Sequence, residues 1–264
     1  MRRFRLRFWR PRPIPVLELH GTLAARAGAL NIAAHGRLID AAVAAAGQGG
    51  TLLLDIESPG GSPVQSDLIA ARIRRRAEAA KVRVIAVIGE VGASGGYWLA
   101  CAADEIVANP MSVVGSIGVI GGGFGLGGAL ARLGVRRRMY TAGANKGRLD
   151  PFSPEKPEDV AFVHDLLDQL HARFKTWVRT RRAGKLPADE ANVFDGGWML
   201  GERALALGLI DRMGDLDSEL RRIGGEKATS RVFRPGRRGL LGRLPRLMAE
   251  AVAEVMEQAA RPRV

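Results

Sequence analysis

The sequence predicts an α/β domain built on a largely parallel sheet. Apolar strand-like runs alternate with amphipathic helical stretches along most of the chain, which is the pattern of consecutive βα units. A long helical segment over residues 157–182 carries Phe162, Leu166, Leu170, Phe174 and Trp177 at helical spacing. Glycine supplies 34 of 264 residues, roughly double the usual ~7%. Much of it gathers in clusters that follow strand-like runs.

The elements follow in order. Residues 15–21 read as a strand. Residues 33–46 read as a helix with Leu38, Ile39 and Val43 on one side. The run 51–56 (TLLLDI) is a buried strand, and 64–80 a helix with Ser62 as N-cap and Pro63 in its first position. A further apolar strand spans 82–89, a short helix 95–102 and a strand 105–108. Residues 114–120 are strand-like, 129–133 helical, and 136–140 a further strand. After the long helix, 199–207 and 216–223 are short helices. Residues 224–239 read as a linker ahead of a last helix, where Leu240, Leu241, Leu244, Leu247, Met248, Val252, Val255 and Met256 share one face. The expected organisation is a basic tail over 1–13, a main domain over 14–223, and a basic linker with an amphipathic helix over 224–264.

The net charge of +13 suggests nucleic acid until it is located along the chain. Residues 1–12 hold six Arg and no acid, and residues 225–264 hold nine Lys/Arg against four Glu, so residues 13–224 carry only +2. This distribution argues against nucleic acid. It leaves solubility, packing between copies, or peripheral contact with an anionic membrane as roles for the tails. The opening MRRFRLRFWRPRP resembles the charged front of a signal peptide, but no apolar core follows it. Neither a secretion signal nor a membrane-spanning helix is expected, and the expected location is cytoplasmic with optional membrane association. A single cysteine, Cys101, excludes a disulfide framework and a multi-cysteine zinc site.

Three glycine clusters are candidates for chemistry. Glu57-Ser58-Pro59-Gly60-Gly61 follows a strand, at the end of a parallel sheet where ligands bind. Gly92-Ala93-Ser94-Gly95-Gly96-Tyr97 matches a strand–turn–helix elbow, which exposes a serine Oγ and aims the next N–H at an oxyanion. An N-capping serine is the plainer alternative. Gly123 to Gly128 spells G-x-G-x-x-G, but the following strand-like run is Arg136-Arg137-Arg138-Met139-Tyr140, with no acid to hold a ribose. Nucleotide binding is therefore not expected.

A nucleophilic Ser94 needs a base. His164 and His171 fall in the middle of the long helix, where a catalytic histidine is unusual, and His20 and His35 precede the elbow. Lys146 lies in the irregular segment 141–152. An ordinary lysine ionises near ~10.4 and acts as a base only where burial lowers that value. Spacing alone leaves histidine and lysine both open.

The ordered set Glu57–Gly61, Gly92–Tyr97, Gly115-Ser116-Ile117-Gly118-Val119, Lys146-Gly147 and Gly201-Glu202-Arg203-Ala204-Leu205-Ala206-Leu207-Gly208-Leu209-Ile210-Asp211 resembles the signal peptide peptidase A / SohB family of serine proteases, peptidase family S49. The resemblance covers residues 15–223. It implies a ClpP/crotonase-like spiral that packs into homo-oligomers, with active sites near protomer interfaces. It implies Ser94 as nucleophile and Lys146 as general base, paired within or between chains. Gly95 with Gly60 or Gly61 would be the oxyanion donors, and Ser116 would orient the lysine. The implied reaction is hydrolysis of hydrophobic peptides such as cleaved signal peptides, with no cofactor and no metal.

Two departures stand out: typical members carry an N-terminal membrane anchor, and many have Gly-Arg where this chain has Asp195-Gly196-Gly197. A crotonase-like acyl-CoA enzyme and a catalytically silent membrane-associated scaffold are the rival readings.

Overall fold

The computed structural model describes residues 12–236. Strands β1 (Ile14–His20), β2 (Thr51–Ser58) and β3 (Arg83–Ala93) form the centre of one eight-stranded sheet. They pair in parallel, with Val16 opposite Leu53 and Leu53 opposite Ile85. Between them run α1 (Ile32–Ala46) and α2 (Pro63–Ala80). Asn31 caps α1 by accepting from Ala34 N, and Ser62 caps α2 by accepting from Gln65 N, with Pro63 at the start as expected.

The central strands are buried on both faces, so alternate residues serve two cores. Leu17, Leu19, Leu52, Leu54, Val84 and Ala86 face a large core shared with α1 and α2. Val16, Leu53, Ile85 and Val87 face a smaller one, closed by Leu216, Leu220 and Ile223 of α7 (Leu216–Gly224). Burying each of these leucines and isoleucines contributes about 1.5–3 kcal/mol relative to exposure.

The eleven-residue β3 forks the sheet. Its first half, Ile85–Ile88, pairs with β4 (Glu105–Ala108), and its last residues, Val91–Ala93, pair with β5 (Val113–Gly115). The fork coincides with a register shift between Ile56 and Ser58 of β2. There the Glu57 carboxylate accepts hydrogen bonds from Glu90 N (2.9 Å) and Val91 N (3.1 Å). A Cβ on Gly89 would come within 2.3 Å of that carboxylate, so a side chain there would displace Glu57 from this position. Directly after β3 comes α3 (Gly95–Ala100), entirely buried and packed against β2, β3 and α2.

Beyond β5 the chain leaves the sheet as an arm over residues 119–156, largely exposed, with one short helix α4 (Gly127–Arg132). It returns as α5 (Pro157–Arg181), followed by β6 (Trp198–Leu200), α6 (Gly201–Ala206), β7 (Arg212–Met213), α7 and β8 (Ser230–Phe233). All pairings are parallel except β5 with β6. The end of α5 is anchored by Arg182, which is 2% exposed. Its guanidinium binds Asp211 Oδ2 at 2.7 Å and donates to Gly208 O.

Four local expectations change. Residues 136–140 form no strand; three arginines in a row leave no apolar face, and no neighbouring strand pairs with them. The strand expected over 114–120 stops at Gly115, because Gly115 (φ 101°) and Ser116 (φ 52°) turn the chain away. Residues 199–207 begin as β6 before turning helical. The expected linker contains β8, which pairs with β1 from Ile14–Ser230 to Leu17–Phe233. The last helix and the basic N-terminal tail lie outside the described residues. Among the described residues no helix is long and apolar enough to cross a membrane.

Candidate active site

Ser94 stands at the junction of β3 and α3 with φ 52° and ψ −120°. Positive φ is strained for a side chain with a Cβ, at a cost of about 1–3 kcal/mol. The surroundings enforce it. Ser94 N donates to Gly115 O at 2.8 Å, and Ser94 O accepts from Trp98 N at 2.9 Å. The side chain makes no N-cap hydrogen bond, so the plainer reading of Ser94 as a helix cap does not apply.

The glycines around it are required by close approach. A Cβ on Gly60 would lie 2.6 Å from Gly95 N and 2.8 Å from Ser94 Cβ; one on Gly61 would lie 2.2 Å from Leu23 O. On Gly95 it would meet Ser66 Oγ at 2.5 Å, and on Gly96 Ser58 O at 2.2 Å. The loop after β2 thus lies directly across the turn after β3, bringing Gly60, Gly61, Ser94 and Gly95 together. Gly60 N donates to Ser58 Oγ at 3.2 Å. Ser58 Oγ in turn donates to Gly21 O at 2.7 Å.

Ser94 opens onto a cleft of about 640 Å³. Ser116 lines the same cleft, and its N–H is held by Gly197 O at 2.6 Å. The Asp195-Gly196-Gly197 segment therefore forms part of the wall; a Cβ on Gly118 would approach Gly196 Cα to 2.8 Å. The opposite wall comes from α5 through Leu170, His171 and Phe174, backed by Trp98 of α3. Of these wall residues the sequence singles out only His171, as a candidate base; Leu170, Phe174 and Trp98 carry no signal that places them in the site. The apolar periodicity of α5 was visible, but not which of its residues border the cleft.

Lys146 is elsewhere. It occupies an exposed turn of the arm, its N–H on Gly143 O at 3.1 Å, and it is not among the residues that line the Ser94 cleft. Of the histidines, only His171 reaches the cleft, with Nε2 2.9 Å from Ile117 O. That contact requires Nε2 to carry a proton. His164 is exposed. His35 is buried against Asn31 O, and burial pushes its ionisation below the usual range. His20 pairs with Asp55 at 3.0 Å. The glycine cluster 121–128 is exposed and irregular up to α4, without the strand that a dinucleotide site needs.

The profile of peptidase family S49 matches residues 76–229. The chain is 44% identical over 234 residues to a protein of Brucella abortus named Na(+)/H(+) antiporter NhaA, covering 87% of this chain and 31% of that protein. It is 33% identical over 169 residues to Protease 4 of Salmonella typhi, covering 63% of this chain and 26% of that one. The chain thus spans less than a third of either relative. In structure it resembles the 1510-N membrane-bound stomatin-specific protease, with a TM-score of 0.51 and 14% identity over 85% of this chain and 98% of that one. The fold is the ClpP/crotonase-like α/β arrangement that the motif order implied, and the chain belongs to peptidase family S49.

Proposed function

We propose that this chain is a serine endopeptidase in which Ser94 attacks the peptide carbonyl and Lys146 is the general base. The observation that carries the reading is Ser94 at positive φ on a strand–helix turn, with a glycine loop packed across the following N–H. Gly95 N and Gly61 N are the oxyanion donors; Gly60 N is already held by Ser58 Oγ. Neutral Lys146 accepts the Oγ proton as the acyl bond forms and returns it to the leaving amine. A water then repeats the sequence on the acyl-enzyme.

Because Lys146 lies outside the cleft of its own chain, the lysine is supplied by a neighbouring copy. The arm that carries it exposes Leu133, Val135, Met139 and Tyr140, and the cleft rim exposes Ile120 and Trp198. Apolar surface on both sides is what packing between copies requires. Apolar walls from Trp98, Leu170 and Phe174 suit extended hydrophobic peptides, with cleaved signal peptides as the substrate class.

A second reading has one observation in its favour: His171 shares the cleft with Ser94, so it is the alternative base. The experiment is labelling by a serine-directed fluorophosphonate together with hydrolysis of a fluorogenic hydrophobic peptide. Wild type should label and turn over, Ser94→Ala should do neither, and Lys146→Ala should lose turnover. Turnover of an acyl-CoA without peptide hydrolysis would favour the crotonase-like rival, and absence of any labelling the silent scaffold.

A further inference from the structure

Two successive residues with positive φ, Gly115 (101°) and Ser116 (52°), turn the chain out of β5 beside Ser94. A residue with a Cβ keeps that conformation only where its surroundings hold it. Hydrogen bonds reach this turn from three directions. Gly115 O accepts from Ser94 N at 2.8 Å, so the turn seats the backbone of Ser94 itself. From the β6 side, Gly197 O accepts from Ser116 N at 2.6 Å, and Asp195 Oδ1 fixes Gly197 by accepting from its N–H at 2.8 Å. From the α5 side, His171 Nε2 lies 2.9 Å from the carbonyl oxygen of Ile117, a fully buried residue. A carbonyl only accepts, so Nε2 donates. The helix is a firm place to donate from. One turn further along α5, Phe174 is buried, and Trp177 Nε1 donates to Trp98 O at 3.1 Å.

We propose that His171 is a positioning residue for Ser94: its Nε2–H clamps the Gly115–Gly118 turn from α5, and the Gly115 carbonyl of that turn holds the Ser94 N–H. This rests on Ser94 being the nucleophile of a peptidase. Loosening the turn frees the carbonyl that keeps Ser94 at φ 52°, and with it the direction of Oγ. Nε2 is occupied by its donation to Ile117 and takes no proton from Ser94.

The test compares wild type with His171→Leu and His171→Gln. Leucine has no N–H, whereas the glutamine amide carries one as many bonds from the backbone as the imidazole Nε2. With a fluorogenic peptide, His171→Leu should lower kcat about three- to tenfold with little change in KM, and His171→Gln should restore most of the loss. Amide hydrogen exchange, followed on the fragments that hold Ser94 and Ser116, should be faster in His171→Leu and close to wild type in His171→Gln. Equal exchange in all three proteins overturns the proposal, whatever activity does. A wild-type kcat in His171→Leu also overturns it. So does a His171→Gln protein that exchanges like wild type yet is as impaired as His171→Leu, because the ring then acts on a proton. Wild type that neither cleaves the peptide nor labels with a fluorophosphonate counts against the peptidase reading, and the exchange rates still decide whether His171 holds the turn.

Discussion

The backbone of Gly60 passes so close to that of Gly95 that a Cβ on Gly60 would meet the Gly95 nitrogen at 2.6 Å. The contact joins the loop after β2 to the turn after β3, and so fixes the two proposed oxyanion donors relative to Ser94. Gly60 also has φ 99°, a conformation that side chains rarely adopt.

Gly60→Ala should therefore damage the site twice, by strain and by displacing Gly95. The expected fall in kcat is about 10²-fold or more, the order seen when one oxyanion donor is lost. Steady-state kinetics with a fluorogenic peptide checks it, beside a thermal melt to show that the variant is folded.

Glu57 is predicted to matter for position rather than chemistry. Its carboxylate holds the N–H groups of Glu90 and Val91 at the register shift, shortly before Ser94. Glu57→Ala should cost about 1–2 kcal/mol of stability and lower kcat more than it raises KM. Glu57→Gln, which keeps one acceptor, should recover part of both. Chemical denaturation and kinetics on the same preparations decide this.

Much of this site was legible in the sequence because glycine turn chemistry is local. Gly60, Gly61, Ser94 and Gly95 declare themselves through where they fall after apolar strands. The parts that were not legible depend on distant partners. Ser230–Phe233 is a strand only because β1 offers its edge. Arg136–Arg138 is not one because no edge is there. Arg182 lies in unremarkable surroundings along the chain, yet is buried in an ion pair with Asp211, the last residue of the 201–211 motif. The cleft wall formed by His171 and Phe174 follows from how α5 crosses the sheet, which periodicity alone does not fix.

The Arg182–Asp211 pair predicts a pH dependence of stability. Burial alone would raise the Asp211 carboxyl, but hydrogen bonds from Arg182 and Lys185 outweigh it and hold the group below its usual range. A folded value below the unfolded one, near ~3.9, means the stabilisation is fully present above that value and fades as pH falls through the folded one. Asp211→Asn leaves the Arg182 guanidinium buried without a counter-charge, at a cost of about 3 kcal/mol at neutral pH. Denaturant titrations from pH 7 to pH 3 should show the gap between wild type and Asp211→Asn narrowing at the acid end.

Lysine identity should be strict if Lys146 is the base. Lys146→Arg should be as inactive as Lys146→Ala, because a guanidinium does not give up its proton at working pH. His171→Ala should keep turnover within about tenfold of wild type, since in this account it shapes the wall and transfers no proton. Equal activity of Lys146→Ala and wild type, with an inactive His171→Ala, would move the base to His171.

The most direct test of the central claim, a Ser94–Lys146 pair completed between copies, is complementation. Ser94→Ala and Lys146→Ala proteins are unfolded together, refolded as a mixture, and assayed for peptide hydrolysis against each variant alone. Each is predicted to be inactive by itself. The mixture should recover about a quarter of wild-type activity, because random head-to-tail assembly pairs an intact Ser94 with a neighbour's intact Lys146 at that frequency. A mixture as inactive as its components, while refolded wild type regains full activity, would contradict the account.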